Sequence, residues 1–221
     1  MMRDPNACRE ALIDRLAGDL HPVRRMAPPG LQAALWCAVV VAIALLLARF
    51  ADLEGLRERL MAVPDMWLSV VGSAATAVLA AVAAFQGMAP DRSPRWVLLP
   101  LPTAALWIGA SGMGCLRAWL VAGTHAASMQ ETKVCLMFIV GLSVPLSLLL
   151  VLLLRRGFVL HPGRTALMGG LAVAAAAATL LNFFHPYDAT ASDLVVHGVA
   201  IGLVLLVNRL WGGRILNRAS L

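Results

Sequence analysis

Apolar residues in this chain gather into long blocks, with no strand-like alternation between them. Six blocks, at roughly 30–50, 64–88, 96–120, 134–154, 163–184 and 192–211, approach the ~20 residues an α-helix needs to cross a bilayer. Leu, Ala and Val dominate them, which favours helices over a transmembrane barrel. The pattern predicts an all-α membrane protein. A six-helix bundle would occupy residues 30–211, between a tail at 1–29 that carries a short amphipathic helix and a C-terminal tail at 212–221.

Composition sharpens this picture. The chain has 221 residues, of which 60% are hydrophobic and 14% charged, with Lys133 as the single lysine. A soluble domain of that size needs a more polar surface. The net charge of +6 is carried almost entirely by arginine, and in a multi-pass protein it reports topology before any nucleic-acid partner. Summed over alternate loops, 13 basic residues share the side of the N-terminal tail and 5 lie opposite. The positive-inside rule then places both termini in the cytoplasm. About 27 polar and mixed residues precede the first block, too many for a cleavable leader, so the tail is expected to remain attached.

Within the tail, Leu12, Ile13, Leu16 and Leu20 recur at helical spacing, with Asp14, Arg15 and Asp19 available to the other face. Asn6 is a candidate N-cap and His21-Pro22 a terminator. Such a helix could lie on the lipid surface, although those helices usually carry a basic polar face. Its mixed charge suits a protein groove better.

The spans contain no Asp, Glu, Lys or Arg at mid-depth, which argues against a proton-coupled pump. Ser, Thr and Asn within them are expected to bond to the preceding turn. Gly198 and Gly202 form a GxxxG that could let helices pack closely, and a homo-oligomer stays open.

Candidate chemistry collects on the outer side. Cys115 lies within about two turns of the outer end of the third span and Cys135 opens the fourth, so the two thiols could approach on the oxidising side. Apolar filler, a disulfide, a redox switch and metal ligation all remain open for them. The last outer loop adds His185 and Asp188, with Asp193 and His197 one turn apart at the start of the sixth span. Thiolates with imidazole suit a thiophilic or transition metal, and Cys135, His185, Asp188 and His197 form the candidate ligand set. Plain structural roles compete with this: His185-Pro186 can simply stop a helix, and His197 can be a hydrogen-bonded interior histidine.

Two other classes compete. "GASG" at 109–112 matches the GxSG of rhomboid intramembrane proteases, and a Ser111–His197 dyad is conceivable. The second span, however, offers no His or Asn for an oxyanion hole. A small-molecule or metal transporter is the other alternative. A DsbB-like oxidoreductase would need a Cys-x-x-Cys that is absent.

"LIDRLAGDLHPVRRMAPP", six spans, "CLMF" opening the fourth and "FFHPYDATASDLVVH" before the sixth together resemble the NrsF-type membrane anti-sigma factors. The likeness covers essentially the whole chain. It implies a non-enzymatic regulator of the bacterial inner membrane. Its tail would hold an extracytoplasmic-function sigma factor, and metal or oxidant stress at the outer face would release that factor. Asp14, Leu16, Asp19, Leu20, Pro22, Val23, Arg24 and Arg25 correspond to the tail motif, with Leu12 and Ile13 extending the face. Cys135 corresponds to the family's thiol opening span four. Many relatives carry a second cysteine in the last outer loop, where this chain has His185-Pro186. Either Cys115 substitutes, or His185, Asp188 and His197 complete a metal site.

Overall fold

The computed structural model describes residues 5–18, 27–89, 91–120, 129–157, 159–184 and 191–219. Helix α1 (Pro5–Gly18) precedes α2 (Pro29–Ala48), the short α3 (Leu53–Ala62) and α4 (Pro64–Gln86). A 3₁₀ turn at Pro94–Leu98 leads into α5 (Leu101–Leu120), followed by α6 (Met129–Leu154) and α7 (Pro162–Leu181). The sixth long element is composite: α8 (Ala191–Val207), a π-helical turn at Asn208–Gly212, and α9 (Gly213–Ala219). Six of these elements are long and apolar enough to cross a membrane, matching the six predicted blocks to within a few residues.

Proline marks several starts. Pro29, Pro64 and Pro162 each occupy the first turn of a helix, where a missing N–H costs nothing. Helix α3 was not expected from the apolar pattern. It forms because Asp52 caps it, accepting from the Gly55 N–H at 3.0 Å. The tail helix begins at Pro5, so Asn6 lies in its first turn and not ahead of it.

Helix α7 is the centre of the bundle. Its apolar window is 72% buried, against 17% for α2. Residues Ala172 to Ala177 have almost no exposure, and α7 packs against α4, α6, α8, the π turn and α9. Small side chains make this possible. In lipid there is little hydrophobic drive between helices, so association rests on close packing and interhelical hydrogen bonds. A Cβ on Gly170 would sit 3.3 Å from the Leu205 Cα, and one on Gly72 would sit 2.9 Å from the Trp107 backbone nitrogen.

Hydroxyls follow the close approach. Along α4, Ser69 meets Ser111 of α5 at 3.0 Å, Ser73 meets Thr179 of α7 at 2.9 Å, and Thr76 meets Thr103 of α5 at 3.1 Å. The expected bonds to the preceding turn are also present, from Thr76 to Gly72 O and from Thr179 to Ala175 O. These hydroxyls therefore bridge helices as well as cap their own turns. Residue numbers fall along one partner as they rise along the other, so α4 runs antiparallel to both α5 and α7. On the far side, Asn208 donates to Ser147 of α6 at 3.0 Å and to Val204 O at 2.9 Å. Trp36 of α2, fully buried, donates to Leu146 O beside the helix-internal Pro145.

Leucine in place of Ala175 would insert three carbons where α7 has no free space. We expect Ala175→Leu to cost about 1–3 kcal/mol, read as a lowered thermal midpoint in detergent. Val199→Ala, on the exposed side of α8, should leave the midpoint within error.

Candidate functional site

Two regions hold the residues singled out by sequence. The first is the N-terminal helix. Leu12, Ile13 and Leu16 are 55%, 60% and 59% exposed, so α1 presents its large apolar side chains to the surroundings. Separation into two faces is not confirmed over Pro5–Gly18. Arg9 falls among Leu12, Ile13 and Leu16 around the helix, while Ala7, Ala11 and Ala17 dilute the remainder. Asp14 is an exposed member of the same helix. Asp19, Leu20, Pro22, Val23, Arg24 and Arg25 lie outside the described residues.

The second region is the end of the bundle where α6 begins and α7 finishes. Cys135 is half-buried there and packs with Phe138 and Leu142 on a cluster of Ile139, Ala177, Leu181 and Ala200. That cluster joins α6, α7 and α8. His197 is half-buried three residues before Ala200 on α8, and so shares that general face. Phe138 and Phe184 hold their rings 5.8 Å apart at a 55° tilt. This contact fixes the chain leaving α7 beside the turn of α6 that carries Cys135.

His185 and Asp188 lie outside the described residues, one and four positions beyond Phe184. Cys115 is placed along α5, five residues before its end at Leu120. Among the described residues, no group of three His, Cys, Asp or Glu side chains gathers to hold a metal ion. The structure thus draws Cys135, the face of His197 and the exit of α7 to one end of the molecule.

Ser111, the serine of the GxSG match, is hydrogen-bonded to Ser69. Sequence reasoning missed the α4 hydroxyl seam to which it belongs. Its signal was present, since Ser69, Ser73 and Thr76 recur at helical spacing within an otherwise apolar span. Gly198 and Gly202 are exposed on α8, and a Cβ on either would meet nothing within 4 Å.

This architecture is that of an all-helical, multi-pass protein of membrane-compatible length and apolarity. The family model for NrsF, negative regulator of sigma F, matches residues 16–217, and the chain belongs to that family. Membership implies negative regulation of a sigma factor, a regulatory role and not a catalytic one. Neither the curated proteins nor the solved structures yielded a match.

If the Phe138–Phe184 contact closes the end of the bundle over Cys135, Phe184→Ala should open it. In a background with Cys8, Cys37 and Cys115 replaced by serine and the protein pre-reduced, maleimide should modify Cys135 several-fold faster in Phe184→Ala. Equal rates would mean that the ring pair does not shield the thiol.

Proposed function

We propose that the chain is an anti-sigma factor of the bacterial inner membrane, with both termini cytoplasmic. Its N-terminal segment sequesters an extracytoplasmic-function sigma factor, and a metal or oxidant acting at the outer end releases it. Family membership over 16–217 is the observation that carries this reading. The charge distribution supports the orientation. The α4–α5 and α6–α7 connections and the α8–α9 end carry seven described arginines and one acidic residue, Asp91. The tail enters the bundle at that same end, because Trp36, near the start of α2, reaches Leu146 towards the end of α6.

Exposure of Leu12, Ile13 and Leu16 supports the tail as the grip. A helix of 14 residues is about 21 Å long, enough to lie along one groove of a partner. Asp14, Asp19, Leu20 and the run from Pro22 to Arg25 would extend that contact. At the opposite end, Cys135, His197 and the loop bearing His185 and Asp188 form the sensor, either as metal ligands or with Cys115 as a thiol pair. Oxidation or metal capture there alters how α6, α7 and α8 meet through the Ile139–Ala177–Ala200 cluster.

Tagged protein extracted from membranes should carry a sigma factor with it. Leu16→Asp, which buries a charge at the contact, should weaken capture by 2 kcal/mol or more, about 30-fold, and switch on the target genes. Failure to recover any sigma factor, together with silent targets in Leu16→Asp, sinks the regulatory assignment. Separately, Cys135→Ser should abolish induction by metals or oxidants while leaving sigma capture intact. An unchanged response in both Cys135→Ser and Cys115→Ser reduces the thiols to packing groups.

A further inference from the structure

At the arginine-rich end, the α4–α5 connection and the start of α7 enclose a recess of about 210 Å³. That is several times the ~30 Å³ share of one water in the liquid. Arg92, His161 and Arg164 line it, Trp96 forms one side, and Met168 lies at its apolar inner wall. Gln86, the last residue of α4, also lines it, and the Gln86 Oε1 is buried without a hydrogen-bond partner among the described residues. Among the described residues, Arg92 pairs loosely with Asp91, at 3.9 Å, and both are well exposed. Arg164 is exposed as well.

Two chemistries are therefore required of an occupant. It must bring negative charge to Arg92 and Arg164, and it must donate a hydrogen bond to the Gln86 side-chain carbonyl. The recess opens where membrane-length helices end, beside an aromatic of the type that sits at the headgroup level. A free anion that carries no hydroxyl meets the first requirement alone. A phosphodiester bearing a free polyol, with its acyl chains continuing along the bundle, meets both.

We infer that this recess binds the headgroup of an anionic phospholipid whose phosphate carries a hydroxylated substituent, phosphatidylglycerol being the simplest. The phosphate lies between Arg92 and Arg164, and a headgroup hydroxyl donates to Gln86 Oε1. The assignment is independent of what the tail binds.

The test uses the full chain in detergent with defined lipids added, read by native mass spectrometry. Phosphatidylglycerol should be retained at least about tenfold over phosphatidylcholine. Arg92→Gln and Arg164→Gln should each erode that preference, whereas Arg95→Gln, on the same connection but outside the recess, should keep it. Gln86→Leu should leave anionic lipid bound but remove the preference for phosphatidylglycerol over phosphatidylmethanol, an anionic phosphodiester with no headgroup hydroxyl. Thermal midpoints of each variant in phosphatidylcholine alone separate lost binding from lost folding. Equal retention of phosphatidylglycerol and phosphatidylcholine overturns the site. So does an equal loss in Arg95→Gln, which would make the preference one of general surface charge. Displacement of the lipid by millimolar inorganic phosphate would assign the recess to a free anion. An undiminished phosphatidylglycerol preference in Gln86→Leu would overturn the hydroxyl contact.

Discussion

Methyl-to-methyl packing along α7 is the constraint on which the rest of the bundle depends. A helix surfaced by alanine presents neighbouring backbones with a smooth, narrow cylinder, and six other elements, α2 included, close on it. Dispersion over short distances replaces the hydrophobic drive that water would supply. Short distances in turn bring hydroxyls within reach of one another, so the Ser73–Thr179 bond depends on the neighbouring alanines. Larger side chains on α7 would push the seam apart before they clashed with anything polar.

The molecule is also divided along its length. One end gathers arginines, the start of α2, the end of the last span and the recess lined by Trp96. The other holds Cys135, the Phe138–Phe184 pair and the short capped helix α3. Helix α7 touches both, since Thr165 is packed against Gly87 at one end and Leu181 joins the Cys135 cluster at the other. Both ends therefore rest on the same buried helix.

Most of the architecture was legible because span length is set by bilayer thickness, which apolar blocks report directly. Details that depend on local backbone chemistry were less so. The third block begins with a 3₁₀ turn because Pro100 and Pro102 interrupt the N–H ladder near its start. Helix α3 escaped notice because its ten residues mix Leu with Glu and Arg, and only the Asp52 cap announces it. In the tail, helical spacing of Leu12, Ile13 and Leu16 was readable, but the intrusion of Arg9 shows only when the whole circumference is considered. Cys135 was found from its position at a span edge. Phe138 and Phe184, which position it, looked like ordinary span residues, because their meaning lies in contact across 46 positions of sequence.

The widened turn at Asn208 has a consequence for the phase of the last span. Buried positions there are Ala200, Val204, Asn208, Gly212 with its neighbour Gly213, and Leu216, so an interval of four repeats along the segment. A regular α-helix advances about 100° per residue, so each such step slips by about 40° and four steps would carry the stripe most of the way to lipid. The π turn takes up that slip by admitting an additional residue. It lets one straight seam run from α8 into α9. Deleting a single residue between Val207 and Gly213 would let the segment run as regular α-helix with Leu216 eleven residues after Val204, within about 20° of the same face, so a deletion there keeps the seam whereas a second insertion would turn Leu216 off α7.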